Sequence, residues 1–427
     1  MIKLLKTNQV TEDEIFARVQ PEVDVSSIVK EILGQVKTQG DRALKELTLR
    51  FDKADLDRLE VSQEEIELAC QEVGKEFMAL LERAAENIRT FHQMQKRQGF
   101  TLEKADGVTV GQRITPVDRA GLYVPGGTAA YPSTVLMDAI PAKIAGCPMI
   151  VMVSPPNAQG KIAAPILAAA KVAGIDRIFK VGGAQAIGAL AFGTQTVPKV
   201  DKIVGPGNAF VAEAKKQVFG QVSIDMIAGP SEILIVADKD NDPKVIAADL
   251  LSQAEHDKMA SAVLVTDSQE LAEQVQAQLE EQIPLLERRD IARASIDNNG
   301  KILVTEDLNQ AIEITNRIAP EHLELCVEDP FAWVDKVRHA GSVFLGRYCP
   351  EALGDYYAGP NHTLPTSGTA RFSSPLSVDD FIKKTQITYY TKQALAKAAD
   401  DVFTFATAEG LTAHAKSAVI RLEDDAR

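Results

Sequence analysis

The stretch Ile150-Val151-Met152-Val153-Ser154 is a short apolar run rich in β-branched residues, and it predicts a buried strand. An alanine-rich segment of helical length, Ile162–Ala173, follows it, and then comes a second strand-like run, Arg177–Val181. This strand–helix–strand order predicts a βαβ unit with two parallel strands.

The same alternation continues on both sides of this unit, from residue 108 to residue 345. The candidate strands are Val108–Ile114, Ala120–Val124, Ile150–Ser154, Arg177–Val181, Lys202–Val204, Glu232–Ala237, Ala262–Thr266, Lys301–Thr305, Leu323–Val327 and Ser342–Leu345. Segments of helical length lie between most of them, which predicts mainly parallel sheets covered by helices on both faces. Because these strands are too many for one compact sheet, we predict an α/β fold with two doubly wound, incomplete Rossmann-like lobes.

Helical extensions are expected at both ends of the chain. Apolar residues recur every three or four positions after Ser62-Gln63-Glu64-Glu65, a capping-box pattern, and predict one long amphipathic helix. The predicted parts are a helical arm, 1–24; a first lobe with the metal and catalytic residues, 25–120 plus 232–378; a second, nucleotide-binding lobe, 121–231; and a helical tail, 379–427. The tail has little apolar surface of its own, so we expect it to pack on a second subunit.

Composition excludes several classes of partner. The 427-residue chain has a net charge of -14, which argues against nucleic acid and against an anionic membrane surface as partners. The four cysteines are far apart and form no C-x-x-C pair, so a reducing, cytoplasmic location is expected. We expect no signal peptide and no membrane span.

Three glycine-rich turns follow predicted strands. They are Pro125-Gly126-Gly127, Gly182–Gln185 and Gly205-Pro206-Gly207-Asn208, the last of which opens a helix. Ligands bind beyond the carboxyl ends of strands in α/β sheets, and a helix N-terminus favours phosphate. The turns therefore suggest a nucleotide, although each alone is equally typical of a tight connection, and the G-x-G-x-x-G pattern is not met.

Gln253 and His256 lie at the end of a predicted helix, Pro243–Glu255. Their spacing places both side chains on one face of the helix, where an imidazole and an amide oxygen can bind a metal ion. An alternative is that His256 simply caps the last carbonyls of the helix.

Other polar side chains occur in loops and helix junctions. Glu321 and His322 place a carboxylate beside an imidazole, a pair able to divide proton transfers, while Glu321 can equally be a surface charge. Asp355 and His362 lie in one polar loop, and His414 lies between the two tail helices. Gln253, His256, Asp355 and His414 together offer two nitrogen and two oxygen donors for a zinc ion.

Several motifs, in one order along nearly the whole chain, resemble the histidinol dehydrogenase family. They are Gly121–Gly127, Gly182–Gln185, Val204–Phe210, Ala228–Glu232, Ser252–His256, Pro320–Leu323, Gly354–Tyr356 with Asn361-His362, and Glu409 with Leu411–His414. The resemblance implies a cytoplasmic homodimer that oxidises L-histidinol to L-histidine in two NAD-dependent steps with one zinc ion per subunit.

The resemblance also implies a role for each matching residue. It makes Gln253, His256, Asp355 and His414 the zinc ligands, which also contact substrate, with His414 supplied by the partner subunit. His322 becomes the general base and Glu321 the group that activates water, both in contact with substrate. Further substrate contacts are Ser231, His362 and Glu409, and the NAD contacts are Tyr123, Gln185 and Asn208.

Two other classes of function compete with this interpretation. Glu321 and a metal-bound water would suffice for a zinc hydrolase, which needs no dinucleotide. A two-lobed α/β protein can also bind a ligand without turning it over.

Overall fold

The computed structural model describes residues 1–18, 24–104, 107–126 and 130–426, so Gly127 of the predicted turn lies outside the described residues. The chain divides into two compact units. The first comprises Met1–Gln95 and Val117–Phe381, and the second comprises Lys96–Pro116 and Ile382–Arg427.

Strands and helices alternate along most of the chain. The strands are β1 (Lys3–Lys6), β2 (Phe100–Lys104), β3 (Val108–Pro116), β4 (Arg119–Tyr123), β5 (Met149–Ser154), β6 (Arg177–Lys180), β7 (Lys202–Val204), β8 (Ser223–Ile224), β9 (Glu232–Ala237), β10 (Ser261–Thr266), β11 (Lys301–Val304), β12 (His322–Cys326), β13 (Ser342–Leu345) and β14 (Ile382–Tyr390). The helices are α1 (Glu12–Phe16), α2 (Ser26–Gln39), α3 (Asp41–Asp52), α4 (Gln63–Gln93), α5 (Pro132–Ala145), α6 (Ala164–Ala173), α7 (Gly183–Phe192), α8 (Ala209–Val218), α9 (Pro243–Ala254), α10 (Gln269–Gln282), α11 (Arg289–Asn299), α12 (Leu308–Ile318), α13 (Phe331–Val334), α14 (Glu351–Tyr356), α15 (Lys392–Ala408) and α16 (Thr412–Val419). Within the described residues, every helix is too short or too polar to cross a membrane.

Two parallel sheets form the frame of the first unit, as the alternation predicts. The five-stranded sheet has the order β6-β5-β4-β7-β8, and the six-stranded sheet has the order β1-β11-β10-β9-β12-β13. Every strand pair in both sheets is parallel. Setting β1 aside, both sheets follow the same doubly wound order, in which the chain starts in the middle, moves to one edge and then returns to the other side.

Helices cover both faces of the five-stranded sheet. Along β5, Ile150 and Met152 pack in one core with α4, α5 and α6, while Val151 and Val153 pack in another with α2, α3 and α7. A strand buried on both faces reads as a continuous apolar run, which is why this stretch is so informative in the sequence.

Residues 25–93 pack on this five-stranded sheet, whereas the sequence placed residues 25–120 in the lobe with the catalytic residues. Amphipathic periodicity identifies these helices but carries no information on which sheet their apolar faces will cover. The predicted capping box is present at Ser62 and Glu65, and α4 is kinked where Gly74 adopts a positive φ of 78°.

The first residues form an edge strand rather than only the predicted helical arm. β1 pairs in parallel with β11, from Lys3 opposite Lys301 to Lys6 opposite Val304, and the short α1 follows it. Four residues are too few to show a strand period, so only the neighbouring edge selects the extended conformation.

The second unit contains an antiparallel sheet as well as the predicted tail helices. Its order is β14-β3-β2, and β14 occupies the start of the segment that the sequence assigned to a helical tail. The predicted strand Val108–Ile114 exists as β3, but it belongs to this sheet and not to an α/β lobe. β14 is nearly all exposed within the chain, so it lacks the inward–outward alternation that identifies a strand.

We predict that Leu44→Ala lowers the free energy of unfolding by about 2–5 kcal/mol, because Leu44 is fully buried where α3 meets the five-stranded sheet. Leu49→Ala on the same helix is the matched control, since Leu49 is half-exposed. Urea unfolding followed by circular dichroism measures both. Equal losses in the two variants would contradict this packing.

Candidate active site

A cavity of about 310 Å³ lies where the two parallel sheets approach each other. The turn Gly205–Asn208, after β7, contributes its wall on the side of the five-stranded sheet. Ser231, which precedes β9, and His322, which begins β12, contribute the wall on the side of the six-stranded sheet. The cavity therefore joins the carboxyl edge of one sheet to the amino edge of the other.

The two edges contribute different residues. The glycine-rich turns were expected beyond the carboxyl ends of strands, and Asn208 does lie there. Glu321 and His322 instead lie at the amino end of β12, and Gln253 reaches the same edge from the end of α9. A helix that follows a parallel strand returns the chain to the amino edge, so a residue at its C-terminus lies there too.

His322 is the most buried imidazole that faces the cavity. Its Nδ1 lies 3.0 Å from the backbone carbonyl oxygen of Glu232, to which an Nδ1–H group donates. Its Nε2 is buried without a hydrogen-bond partner and lies 3.7 Å from Glu351 Oε1 and 3.8 Å from Asp355 Oδ1. Because the carbonyl holds the proton on Nδ1, Nε2 is the atom left to accept a proton from a ligand.

Negative charges dominate the electrostatics around His322. Burial lowers the pKa of His322, but the carboxylates of Glu351, Glu321 and Asp355 outweigh burial and raise this pKa well above its usual range. A cation bound beside Asp355 would offset these charges and return the imidazole pKa toward neutrality.

Glu321 is held by the backbone of the same residue, Glu232. Its Oε2 accepts a hydrogen bond of 2.8 Å from the backbone N–H of Glu232. Burial raises the pKa of Glu321 to about 8, against the attraction of His322, so its carboxylate is an unusually strong base for a carboxyl group. The expectation that Glu321 is a surface charge is wrong, since only 7% of the residue is exposed.

Gln253 and His256 both line the cavity, as their spacing predicted. The side-chain amide nitrogen of Gln253 lies 3.3 Å from the carbonyl oxygen of Glu232 and 3.0 Å from His322 Nδ1. His256 Nδ1 lies 3.0 Å from the carbonyl oxygen of Ser252. His256 therefore caps the helix, as the alternative proposed, while the same contact leaves its Nε2 for a metal ion.

These contacts fit a zinc ion, because they leave Gln253 Oε1 and His256 Nε2 for it beside Asp355, which lines the same cavity. Burial acts against ionisation, but the neighbouring imidazoles of His322 and His362 hold the pKa of Asp355 below its usual range, so the carboxylate is charged. Among the described residues, the acidic and imidazole groups closest together are His322, Glu351 and Asp355, whose ligand atoms all lie within 4.8 Å of one another.

Sequence reasoning missed Glu351, which is almost fully buried beside His322. Glu351 precedes Asp355 by four residues on α14, and this spacing puts two carboxylates on one face of the helix. The i, i+4 pair was the available signal in the sequence.

The remaining predicted substrate contacts divide between the two units. Ser231 and His362 line the cavity, and burial lowers the pKa of His362 below its usual range. Glu409 and His414 belong to the second unit, at the end of α15 and within α16, and they are not among the residues that line the cavity.

The predicted NAD contacts also divide into two groups. Asn208 lines the cavity and caps α8, since its side-chain oxygen accepts the N–H groups of Phe210 and Val211. Tyr123 and Gln185 are buried outside this cavity, at 4% and 2% exposure. Tyr123 Oη accepts a 3.1 Å hydrogen bond from the N–H of Gly183, so Tyr123 supports the turn before α7.

A second pair of buried acids, Asp249 and Glu324, lies behind the cavity. Burial raises the pKa of Glu324 to about 9 and that of Asp249 to about 6, and the two carboxyl groups share a hydrogen bond. The neutral Glu324 carboxyl is the donor, and it accepts the N–H of Glu351 at 2.8 Å. This pair links β12 and α9 to the helix that contains Asp355.

An imidazole with a free acceptor nitrogen, a strongly basic carboxylate and a set of metal-type donors share one cavity between two parallel sheets. They define an α/β enzyme active site suited to proton transfer beside a cation.

A sequence model of the histidinol dehydrogenase family matches residues 17–422. The chain is 55% identical over 397 residues to the histidinol dehydrogenase of Halalkalibacterium halodurans, covering 93% of this chain and 94% of that protein. It is 55% identical over 406 residues to that of Syntrophotalea carbinolica, covering 95% and 94%. The crystal structure of histidinol dehydrogenase from Elizabethkingia anophelis has a TM-score of 0.94 and 40% identity, covering 99% of this chain and 98% of that chain. The chain therefore belongs to the histidinol dehydrogenase family.

We predict that Glu324→Gln makes stability less dependent on pH. The folded chain binds the Glu324 proton more tightly than the unfolded chain does, so the wild type loses stability as pH rises from about 5 to about 9. Gln cannot titrate and keeps a hydrogen-bond donor for Asp249. The free energy of unfolding of Glu324→Gln, relative to that of the wild type, should therefore rise by about 1 kcal/mol or more over this pH range. Thermal unfolding at each pH measures the difference.

The exposed Glu328→Gln is the control for this experiment, and it should show no such gain. A stability difference between Glu324→Gln and the wild type that stays constant from pH 5 to pH 9 would contradict the assignment.

Proposed function

We propose that this protein oxidises L-histidinol to L-histidine through L-histidinaldehyde, in two NAD-dependent steps that complete histidine biosynthesis. The observation that carries the proposal is His322, which lines one cavity with Gln253, His256 and Asp355 and whose buried Nε2 has no hydrogen-bond partner. Membership of the histidinol dehydrogenase family supports the choice of substrate.

The first oxidation needs a base for the alcohol proton, since hydride leaves the alcohol carbon as the hydroxyl loses its proton. His322 Nε2 takes this proton, and the carbonyl of Glu232 stabilises the imidazolium through Nδ1–H. NAD supplies the hydride acceptor. The carbonyl group of Glu232 keeps the His322 imidazole in one orientation throughout the step.

The second oxidation starts from the hydrated aldehyde. Hydride leaves a carbon as a hydroxyl on that carbon loses its proton, and the aldehyde itself has no such hydroxyl. Glu321, with its raised pKa, accepts a proton from the attacking water. His322 again takes the hydroxyl proton of the hydrate. Both groups are fixed to one residue of β9, Glu321 by the N–H and His322 by the carbonyl of Glu232.

Gln253, His256 and Asp355, with His414, would hold one zinc ion in this proposal. When bound, zinc fixes the position of the substrate through its imidazole and amino nitrogens. Ser231 and His362, which line the same cavity, are the further contacts of the substrate.

The turn Gly205–Asn208 is proposed to bind NAD at the N-terminus of α8. Asn208 uses its oxygen as the helix cap, which leaves its NH2 group for the dinucleotide. Tyr123 and Gln185 border the neighbouring turn at Gly183 and are proposed to contact the part of NAD that lies there.

A homodimer with shared active sites is proposed from the second unit. Large apolar side chains of this unit are exposed in the isolated chain, among them Phe100, Ile387, Tyr389, Phe403 and Phe405. Such side chains indicate a surface that another subunit covers. Glu409 and His414 would then complete the cavity of the partner subunit.

The four free cysteines support a cytoplasmic location.

We predict that purified protein with histidinol and excess NAD produces two NADH for each histidine, since oxidation of an alcohol to a carboxylate removes two hydrides.

His322→Asn should lose turnover but keep its bound metal, because the proposed ligand set does not include His322. Absorbance at the NADH band, amino-acid analysis and metal analysis provide the measurements.

One NADH per histidine, or none, would overturn the two-step dehydrogenase. Hydrolysis of a substrate without NADH formation would favour the zinc hydrolase instead. Ligand binding without any turnover in the wild type would favour the non-catalytic binding protein.

We predict that mixing two inactive variants, His414→Asn and Gln253→Ala, restores activity after subunit exchange. In a mixed dimer one of the two cavities receives both wild-type residues, so roughly a quarter of the wild-type activity is expected after random exchange. Activity is measured alongside native mass spectrometry of the mixed dimers.

The variant His339→Asn, at a partly exposed position outside the proposed ligand set, is mixed with Gln253→Ala as a reference for exchange with a subunit that is itself active. Demonstrated mixed dimers of the two inactive variants that show no activity would mean that each site is built from a single chain.

A further inference from the structure

Lys215 and Asp225 form an ion pair beneath the turn Gly205–Asn208. Only 2% of the Lys215 side chain and 1% of the Asp225 side chain are exposed, although both residues border the cavity. Lys215 lies on α8, and Asp225 directly follows β8. The resemblance to the family assigned no role to either residue.

The pair holds both backbone groups of one glycine. Lys215 Nζ donates to the carbonyl oxygen of Gly205 at 2.9 Å, and Asp225 Oδ2 accepts the N–H of Gly205 at 2.8 Å. Asp225 Oδ1 bonds Lys215 and accepts the N–H of Met226. One ion pair thus fixes the peptide groups on each side of Gly205.

Gly205 needs such support because its backbone is unusual. Its φ is +114°, and a Cβ at this position would lie 2.1 Å from the carbonyl oxygen of Tyr123. Only glycine fits here, and glycine alone does not choose one conformation. The direction of the chain toward Asn208 therefore depends on the groups that hold Gly205.

A buried ion pair is a costly way to stabilise a fold. Two charges lose their hydration, and an apolar pair of similar size is often as stable. Asp138 adds to the cost, because its buried carboxyl lies close to Asp225, and burial followed by the Asp225 charge raises the pKa of Asp138 well above its usual range. An apolar pair, however, cannot bond both peptide groups of Gly205.

We propose that Lys215 and Asp225 are positioning residues that hold the Gly205–Asn208 turn in the geometry that binds NAD. This inference rests on the proposed function, since the dinucleotide is assigned to this turn there. The two residues act through the backbone of Gly205, which sets the position of Asn208 and of the N-terminal N–H groups of α8.

The test compares Lys215→Met with Lys216→Met. Lys216 is the next residue on α8, is mostly exposed and pairs with Glu213 at 3.6 Å, so it is a matched control. The KM for NAD and the dissociation constant of NAD measured by calorimetry should each rise about tenfold in Lys215→Met and stay within about twofold in Lys216→Met. The KM for histidinol and the metal content should not change in either variant.

Hydrogen exchange measured by mass spectrometry tests whether the Lys215–Asp225 pair holds Gly205, and this measurement does not depend on enzyme activity. The peptide that contains Gly205 should exchange faster in Lys215→Met than in Lys216→Met, while peptides from β12 should exchange equally. If the peptide exchanges faster but NAD binding is unchanged, the pair holds a turn that does not serve NAD, and the proposal is wrong.

A charge-neutral variant covers the case in which Lys215→Met does not fold. Lys215→Gln with Asp225→Asn leaves no unpaired buried charge, and its shorter Gln cannot bond Gly205 in the same way, so the same rise in the KM for NAD is expected. A KM within twofold of the wild type, or an equal rise in the KM for histidinol, would overturn the proposal. Wild-type protein that neither binds nor reduces NAD would instead overturn the proposed function.

Discussion

The backbone N–H and carbonyl groups of Glu232, at the start of β9, hold Glu321, His322 and Gln253 together. Its N–H bonds Glu321 and its carbonyl oxygen bonds His322, while Gln253 reaches the same carbonyl. These bonds exist because β9 and β12 are adjacent parallel strands with His322 opposite Ile233. A shift of register by one residue would turn His322 to the other face of the sheet and separate it from Glu321.

The duplicated sheet order explains where this cavity lies. Each parallel sheet presents turns and strand starts at its edges, and here the carboxyl edge of one sheet faces the amino edge of the other. The first edge supplies glycine-rich backbone and a helix N-terminus, which suit an anionic cofactor. The second supplies side chains with proton-transfer and ligand chemistry. In the proposed function, one sheet thus binds the cofactor and the other supplies the chemical groups of the same cavity.

Among the described residues, the buried carboxyl groups are concentrated around this cavity. Glu321, Glu324, Glu351, Asp138 and the Lys215–Asp225 pair are all buried, and most of them lie within one or two contacts of His322 or of the Gly205 turn. Each costs hydration free energy, which a stable core would avoid. Their shared location indicates that the loss of hydration free energy occurs where the cavity needs polar groups with a fixed position and protonation state.

The sequence by itself determined the parallel α/β class and ten of the strands. Nine of these strands belong to the two parallel sheets, where a strand buried on both faces is a short continuous apolar run. It also determined which residues form the cavity wall at Gln253, His256, Glu321 and His322, through short motifs with chemical meaning. Only the tertiary structure decided which sheet residues 25–93 cover, that β1 and β14 are strands, that Glu351 lies beside His322, and that Lys215 and Asp225 border the cavity. These depend on contacts between residues far apart in the chain, and local pattern carries no record of such contacts.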